Sequence, residues 1–189
     1  IQQLATECFM PVTYGGGVTS IKSFQRVIGC GIEKVALNTA AILHPRLITE
    51  AAEMFGSSSV VAAIDVKKDF FKIPKVFSHI KRKMLAIHPV HQAMEMEKNG
   101  AGEILLQSTE RDGMMSGYDL SLIGQVASSV SIPVIACGGA GTLEHFAEAL
   151  KAGASAAAAG SKFVFRGKHH AVLINYFSSS EINQLTGRD

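Results

Sequence analysis

The sequence predicts an α/β protein of the (β/α)8 TIM-barrel type, reduced to about six βα units that correspond to the third to eighth strands. Three observations predict it. Short apolar, β-branched runs alternate with longer segments of helical period, the pattern of strands joined through helices into a parallel sheet. Glycines punctuate the ends of the helical segments at Gly31, Gly56, Gly100 and Gly153, where a left-handed residue ends a helix. The stretch "PVTYGGGVTS" at 11–20 returns as "PVIACGGAGT" at 133–142, so one strand, glycine turn and helix start is written twice.

The elements follow in order. Strands are expected at 11–14, 34–37, 60–65, 103–107, 132–137 and 154–159. The third, "VVAAID", is nearly pure apolar, as a parallel strand buried on both faces requires. Helices are expected at 20–28, 45–55, 89–99, 119–130 and 143–151, with a sixth near 171–177. Pro45 and Pro89 suit a first helical turn, where no N–H bond is lost.

A shift of 122 residues carries Pro11 onto Pro133 and continues without a gap. It pairs Gly16 with Gly138, Gly17 with Gly139, Phe24 with Phe146, and Asn38-Thr39 with Gly160-Ser161. Agreement over two consecutive units reads as a duplicated half-barrel, 11–43 against 133–165. Two halves of this length make about 244 residues, a usual size for the closed fold. The 189 residues are expected to form a single partial barrel domain, 1–189, that lacks the first two βα units and begins in the second helix.

Composition excludes other classes. A formal charge of +2 does not favour nucleic acid, the basic residues being dispersed apart from the run 67–83. Three cysteines, Cys8, Cys30 and Cys137, lack metal spacing and fit reduced thiols in a cytoplasmic protein. No apolar run is long enough for a membrane span, and neither a metal nor a cofactor is expected.

Glycine at 15–17 lets backbone approach a ligand, and the helix start behind it presents N–H groups to an anion. The turn is either a phosphate site or an ordinary βα turn. Gly138, Gly139 and Gly141 occupy the corresponding turn, so a substrate with a phosphate at each end fits the pair. Asp65 closes a buried strand and belongs at the C-terminal mouth, where barrel enzymes keep their chemistry; the alternative is a helix cap or a loop charge. The repeat places its mate in the segment preceding residue 1. Asp112, on a loop with Gly113 and Gly117, either contacts ligand or shapes a turn. Lys34 and Glu103 open strands at the opposite face, a position usual for solvated or paired charges. His79, His88 and His91 lie in an irregular basic stretch and read as surface residues.

The segments "TYGGGV", "EKVALNTAAILHPRLITEAAEMFGS", "VVAAID", "GAGEILLQSTERDGMMSGYDL" and "IPVIACGGAGTLEHF" resemble HisF, the cyclase subunit of imidazole glycerol phosphate synthase. The resemblance spans almost the whole chain from the third strand onward. It implies a lyase-type glutamine amidotransferase cyclase of histidine biosynthesis. A HisH-like glutaminase subunit would dock on the N-terminal face, and ammonia would cross the barrel. At the C-terminal face ammonia would convert a ribulosyl bisphosphate intermediate into imidazole glycerol phosphate and aminoimidazole carboxamide ribotide. In the family's pattern Asp65 matches one of two acid/base aspartates and Asp112 a substrate-site acid. Gly17, Asn38, Thr39, Gly113, Gly139, Gly160 and Ser161 match phosphate-binding positions, with Gly16 and Gly138 beside them in the glycine turns. Lys34 and Glu103 match two members of a charged gate at the ammonia entrance, and Glu33 matches an acidic position at the glutaminase interface. The 189 residues alone are expected to be inactive.

Gln107 stands where the cyclase has a small hydroxyl residue, Cys137 replaces a serine, and "HIKRKMLAIHPVHQ" lacks a glycine-containing loop. The tail "GKHHAVLINYFSSSEI" is also similar to a HisF-related group associated with acetamidino-sugar formation in surface polysaccharides, in which the barrel delivers ammonia without cyclase chemistry.

Overall fold

The computed structural model describes residues 1–166 and 171–186. Helix α1 (Gln2–Glu7) precedes β1 (Thr13–Gly15), α2 (Ile21–Ile28), β2 (Lys34–Leu37), α3 (Thr39–Leu43) and α4 (Arg46–Phe55). Next come β3 (Val60–Lys68), β4 (Pro74–Ser78), β5 (Lys83–Met84), α5 (Pro89–Lys98) and β6 (Glu103–Ser108). Then follow α6 (Leu120–Ala127), β7 (Val134–Cys137), α7 (Leu143–Lys151), β8 (Ala156–Ala158) and α8 (Ser161–Val164). The described chain ends with β9 (Phe165–Arg166), β10 (Ala171–Val172) and α9 (Ser179–Thr186).

Strands β1, β2, β3, β6, β7 and β8 are neighbours in that order and all run parallel, curling into part of a (β/α) barrel as the alternating sequence predicts. Among the described residues, β1 and β8 each have one sheet neighbour. Side chains alternate across the sheet. The helix-facing set, including Val35, Val60, Ile104 and Ala136, is fully buried. The concave set, including Ala36, Leu105 and Ile135, is half-buried. Helix α2 anchors to the outer layer through Phe24, which is 0 % exposed and stacks on Phe55 at 5.3 Å. Burying such a ring contributes roughly 1.5–3 kcal/mol. Ser20 and Ser23 form a capping box at the start of α2, while at α7 the N–H groups of Gly141 and Thr142 donate to His145 Nδ1.

The 122-residue shift also relates backbone geometry. Register pairs Thr13↔Lys34, Tyr14↔Val35 and Gly15↔Ala36 map onto Ile135↔Ala156, Ala136↔Ala157 and Cys137↔Ala158. Gly16, Gly17 and Gly31 have positive φ, as do Gly138, Gly139 and Gly153.

Two parts differ from the sequence reading. The helix expected near 171–177 is not formed. Ala171 and Val172 instead pair antiparallel with β9, and the N–H groups of Leu173 and Asn175 bond to the carbonyls of Val164 and Phe163. The β-branched residues of this run suit an extended chain. The helix begins only at Ser179, behind a Ser178–Glu181 capping box in which each side chain accepts the other's N–H. The basic stretch 67–83 is not irregular: β3 turns back antiparallel into β4, and β4 into β5. Val76, 0 % exposed, anchors this hairpin to the core.

Candidate active site

Strand parity decides what meets at the C-terminal mouth. Asp65 near the end of β3 and Gln107 near the end of β6 are register partners, and with Ala36, Ala63 and Leu105 they line one cavity of about 470 Å³. Its wall continues through Gly15, Gly16 and Gly17 behind β1 and through Asn38 and Thr39 behind β2. A side chain at Gly16 or Gly17 would meet no atom within 4 Å, so this turn faces open space.

Asp65 is 7 % exposed. Its Oδ2 accepts a hydrogen bond from Asn38 Nδ2 at 2.8 Å and lies 2.9 Å from His79 Nε2. Burial raises the Asp65 pKa; His79 and Asn38 oppose the rise, and the nearby Asp112 carboxylate adds to it. Asp112 is exposed and accepts from Gln107 Nε2 at 3.2 Å. Burial also pushes the Cys137 thiol up, with Asp112 and Asp65 adding while the Gly138 N–H opposes. A buried carboxyl of raised proton affinity at the rim of a cavity can take and return a proton.

The second glycine turn is packed differently. A Cβ at Gly138 would stand 2.4 Å from Ser108 O, at Gly139 2.2 Å from Gly117 O, and at Gly141 2.3 Å from Met115 O. The loop after β6 thus lies directly on this turn, fastened by Gly117 N–H donating to Gly139 O, while Arg111 Nη1 donates to Gly117 O within the loop itself. That loop brings Gly113 toward Ser161, whose Oγ lies 3.9 Å from where a Gly113 Cβ would be. Gly160 precedes Ser161 as the N-cap of α8.

At the N-terminal face Lys34 Nζ is ion-paired with Glu103 Oε1. Glu33 is exposed and its Oε2 accepts from the Val12 N–H at 2.7 Å, tying the approach to β1 onto β2.

His79 and Ile80 were not singled out as site residues by the sequence. The turn between β4 and β5 sets His79 on Asp65 and Ile80 in the cavity wall. No local signal marked them, since Val76 and Phe77 stand side by side in "KVFS" and the run lacks the polar–apolar alternation of a half-buried strand. His88 caps α5, its Nδ1 accepting from Val90 N–H.

Together these features define a barrel of the enzyme type, with a carboxylate and an open glycine turn sharing one cavity at the mouth. The chain belongs to the histidine biosynthesis protein family, whose profile matches residues 1–170. It is 44% identical over 186 residues to imidazole glycerol phosphate synthase subunit hisF2 of Pseudomonas aeruginosa, covering 98% of this chain and 73% of that protein. It is 45% identical over 163 residues to imidazole glycerol phosphate synthase subunit HisF of Thermococcus onnurineus, covering 86% of this chain and 64% of that protein. With subunit HisF of Lachnoclostridium phytofermentans the identity is 44% over 185 residues, 97% of this chain and 72% of that protein. The chain therefore spans 64–73% of the length of these relatives. No helix among the described residues is long and apolar enough to cross a membrane.

Proposed function

We propose that this chain is the greater part of a HisF-type cyclase subunit of imidazole glycerol phosphate synthase, a cytoplasmic lyase. The observation that carries the reading is the single cavity shared by Asp65 and the Gly15–Gly17 turn, which places a proton-transfer group within one ligand's length of an anion cradle. In this reading Asp65 is one acid/base group and its mate comes from the part of the barrel that precedes this chain. The turns at Gly16–Gly17 and Gly138–Gly139, with Asn38, Thr39, Gly113, Gly160 and Ser161, hold the two phosphates of the ribulosyl substrate. Asp112 contacts the substrate between them. Ammonia from a HisH-like glutaminase, docked at the face that carries Glu33, passes the Lys34–Glu103 pair.

The test supplies the whole natural protein with the ribulosyl bisphosphate intermediate and ammonium. Imidazole glycerol phosphate is expected as product, and Asp65→Asn should reduce its formation by about 10²–10⁴-fold. A folded protein that binds the substrate and makes no product rejects the reading.

The remodelled mouth supports a second reading. His79 and Gln107 occupy the two acids, Asp65 and Asp112, by direct contact. A barrel that delivers ammonia for acetamidino-sugar formation needs the gate and the glutaminase face but no cyclase acid. Asp65→Asn then leaves glutaminase activation intact, whereas Lys34→Met reduces it.

A further inference from the structure

Asp65 meets two donors, and both address the same oxygen. Asn38 Nδ2 and His79 Nε2 converge on Oδ2 at 2.8 and 2.9 Å. Among the described residues no hydrogen bond reaches Oδ1, and no buried side-chain oxygen is without a partner, so Oδ1 is open to the cavity that Asp65 lines. The two donors differ in kind. Asn38 is half-buried behind β2 and carries no charge, while His79 stands 64% exposed on the turn between β4 and β5. There its ring stands perpendicular to that of Phe77, with centroids 5.0 Å apart.

We propose that His79 is a positioning residue for Asp65: through Nε2 it holds Oδ2, reserves Oδ1 for the ligand, and lends the site positive charge when protonated. The proposal rests on Asp65 being the working carboxylate of the site. When Oδ1 takes a proton from bound ligand, the new bond is O–H and the electron pair of the broken bond stays on the ligand. The same proton leaves Oδ1 for the departing group or water. The His79 proton on Nε2 is not consumed in either step, since it stays on the bond to Oδ2.

His79 stands on the exposed turn and Asp65 lines the cavity, so this contact reaches the carboxylate from outside the cavity. The charged and titratable groups facing the pair come from several elements. Asp112, behind β6, and Cys137, ending β7, both interact electrostatically with Asp65. Lys67 of β3 sits over the Phe77 ring against which His79 packs, at 5.8 Å. Lys81 and Arg82 follow in the same turn and Lys83 opens β5, all three exposed. An ion pair so exposed on its imidazole side adds little to stability. Its effect is therefore read on Asp65.

The test follows the Asp65 carboxyl carbon by NMR through an acid titration of the whole natural protein, as wild type, His79→Gln and His79→Ala. The glutamine amide can still donate to Oδ2 but cannot charge. The Asp65 midpoint is expected to rise in His79→Ala, which loses both the charge and the bond, with His79→Gln in between. The acid limb of ammonia-driven turnover of the bisphosphate should move upward in step, and thermal unfolding should shift by no more than about 2 °C. An Asp65 midpoint that is the same in all three proteins overturns the proposal. The titration needs no substrate. A midpoint that moves in a protein making no product rejects the cyclase reading and keeps this one, and an unmoved midpoint in an active protein does the reverse.

Discussion

Lys34 at the start of β2 and Glu103 at the start of β6 are ion-paired across the intervening strand β3, at the end of the barrel away from Asp65. Alternate strands of a barrel supply the same interior layer, so the two side chains meet on the concave side. With side chains 31% and 19% exposed, the pair is screened, and a double-mutant cycle of Lys34→Met and Glu103→Gln should give a coupling of about 0.5–1 kcal/mol. The coupling should shrink in high salt. In the whole enzyme either variant is expected to impair glutamine-driven turnover, with added ammonium restoring the rate.

Asp65→Asn should stabilise the fold at neutral pH while removing activity. The folded pKa of Asp65 is raised above its ordinary 3.8, chiefly by burial. The ionised carboxylate therefore costs stability above the folded value, and the cost vanishes as pH falls below the unfolded one. Thermal unfolding should show the variant more stable at pH 7, with the gap closing toward pH 4.

The two glycine turns should answer alanine differently. Gly16→Ala strains the backbone at φ +122 but meets no neighbour, whereas Gly139→Ala adds a collision 2.2 Å from Gly117 O to a similar strain at φ +112. Denaturant melts should give a loss of about 1 kcal/mol for the first and at least twice that for the second.

Tyr118→Phe tests the fastening of the loop after β6. The phenol is 4% exposed, donates to Ala158 O at 2.9 Å and sits edge-on to Phe146 at 5.9 Å. Burial and then Cys137 push its pKa above the ordinary range, so the hydroxyl is a donor throughout the working pH range. Its loss should lower stability by about 1 kcal/mol and leave the ring packing in place.

The six parallel strands were legible because their apolar runs and the glycines that punctuate them carry local physical meaning. Gly31, Gly56, Gly100 and Gly153 all adopt positive φ. The hairpin was not legible, since Lys67, Lys68, Lys72 and Lys75 disguise two strands as a solvated charge run. The run 171–177 has apolar content that suits either period, and pairing with β9 decided for strand. Asp65 could be placed at the mouth from its position at the end of one strand. Its contact with His79 depends on how β4 turns into β5, a tertiary matter that no local pattern in "SHIKRK" contains.

Asn38 and Gly160 occupy the same backbone conformation, φ −111 and ψ −83 against φ −104 and ψ −70, and each precedes a short helix displaced by the same 122 residues. One presents an amide to a carboxylate; the other presents only hydrogen. The molecule thus contains its own control experiment, one backbone geometry written twice, once with the side chain that touches Asp65 and once without. Exchanging the two residues would compare chemistry at constant architecture, within a single chain.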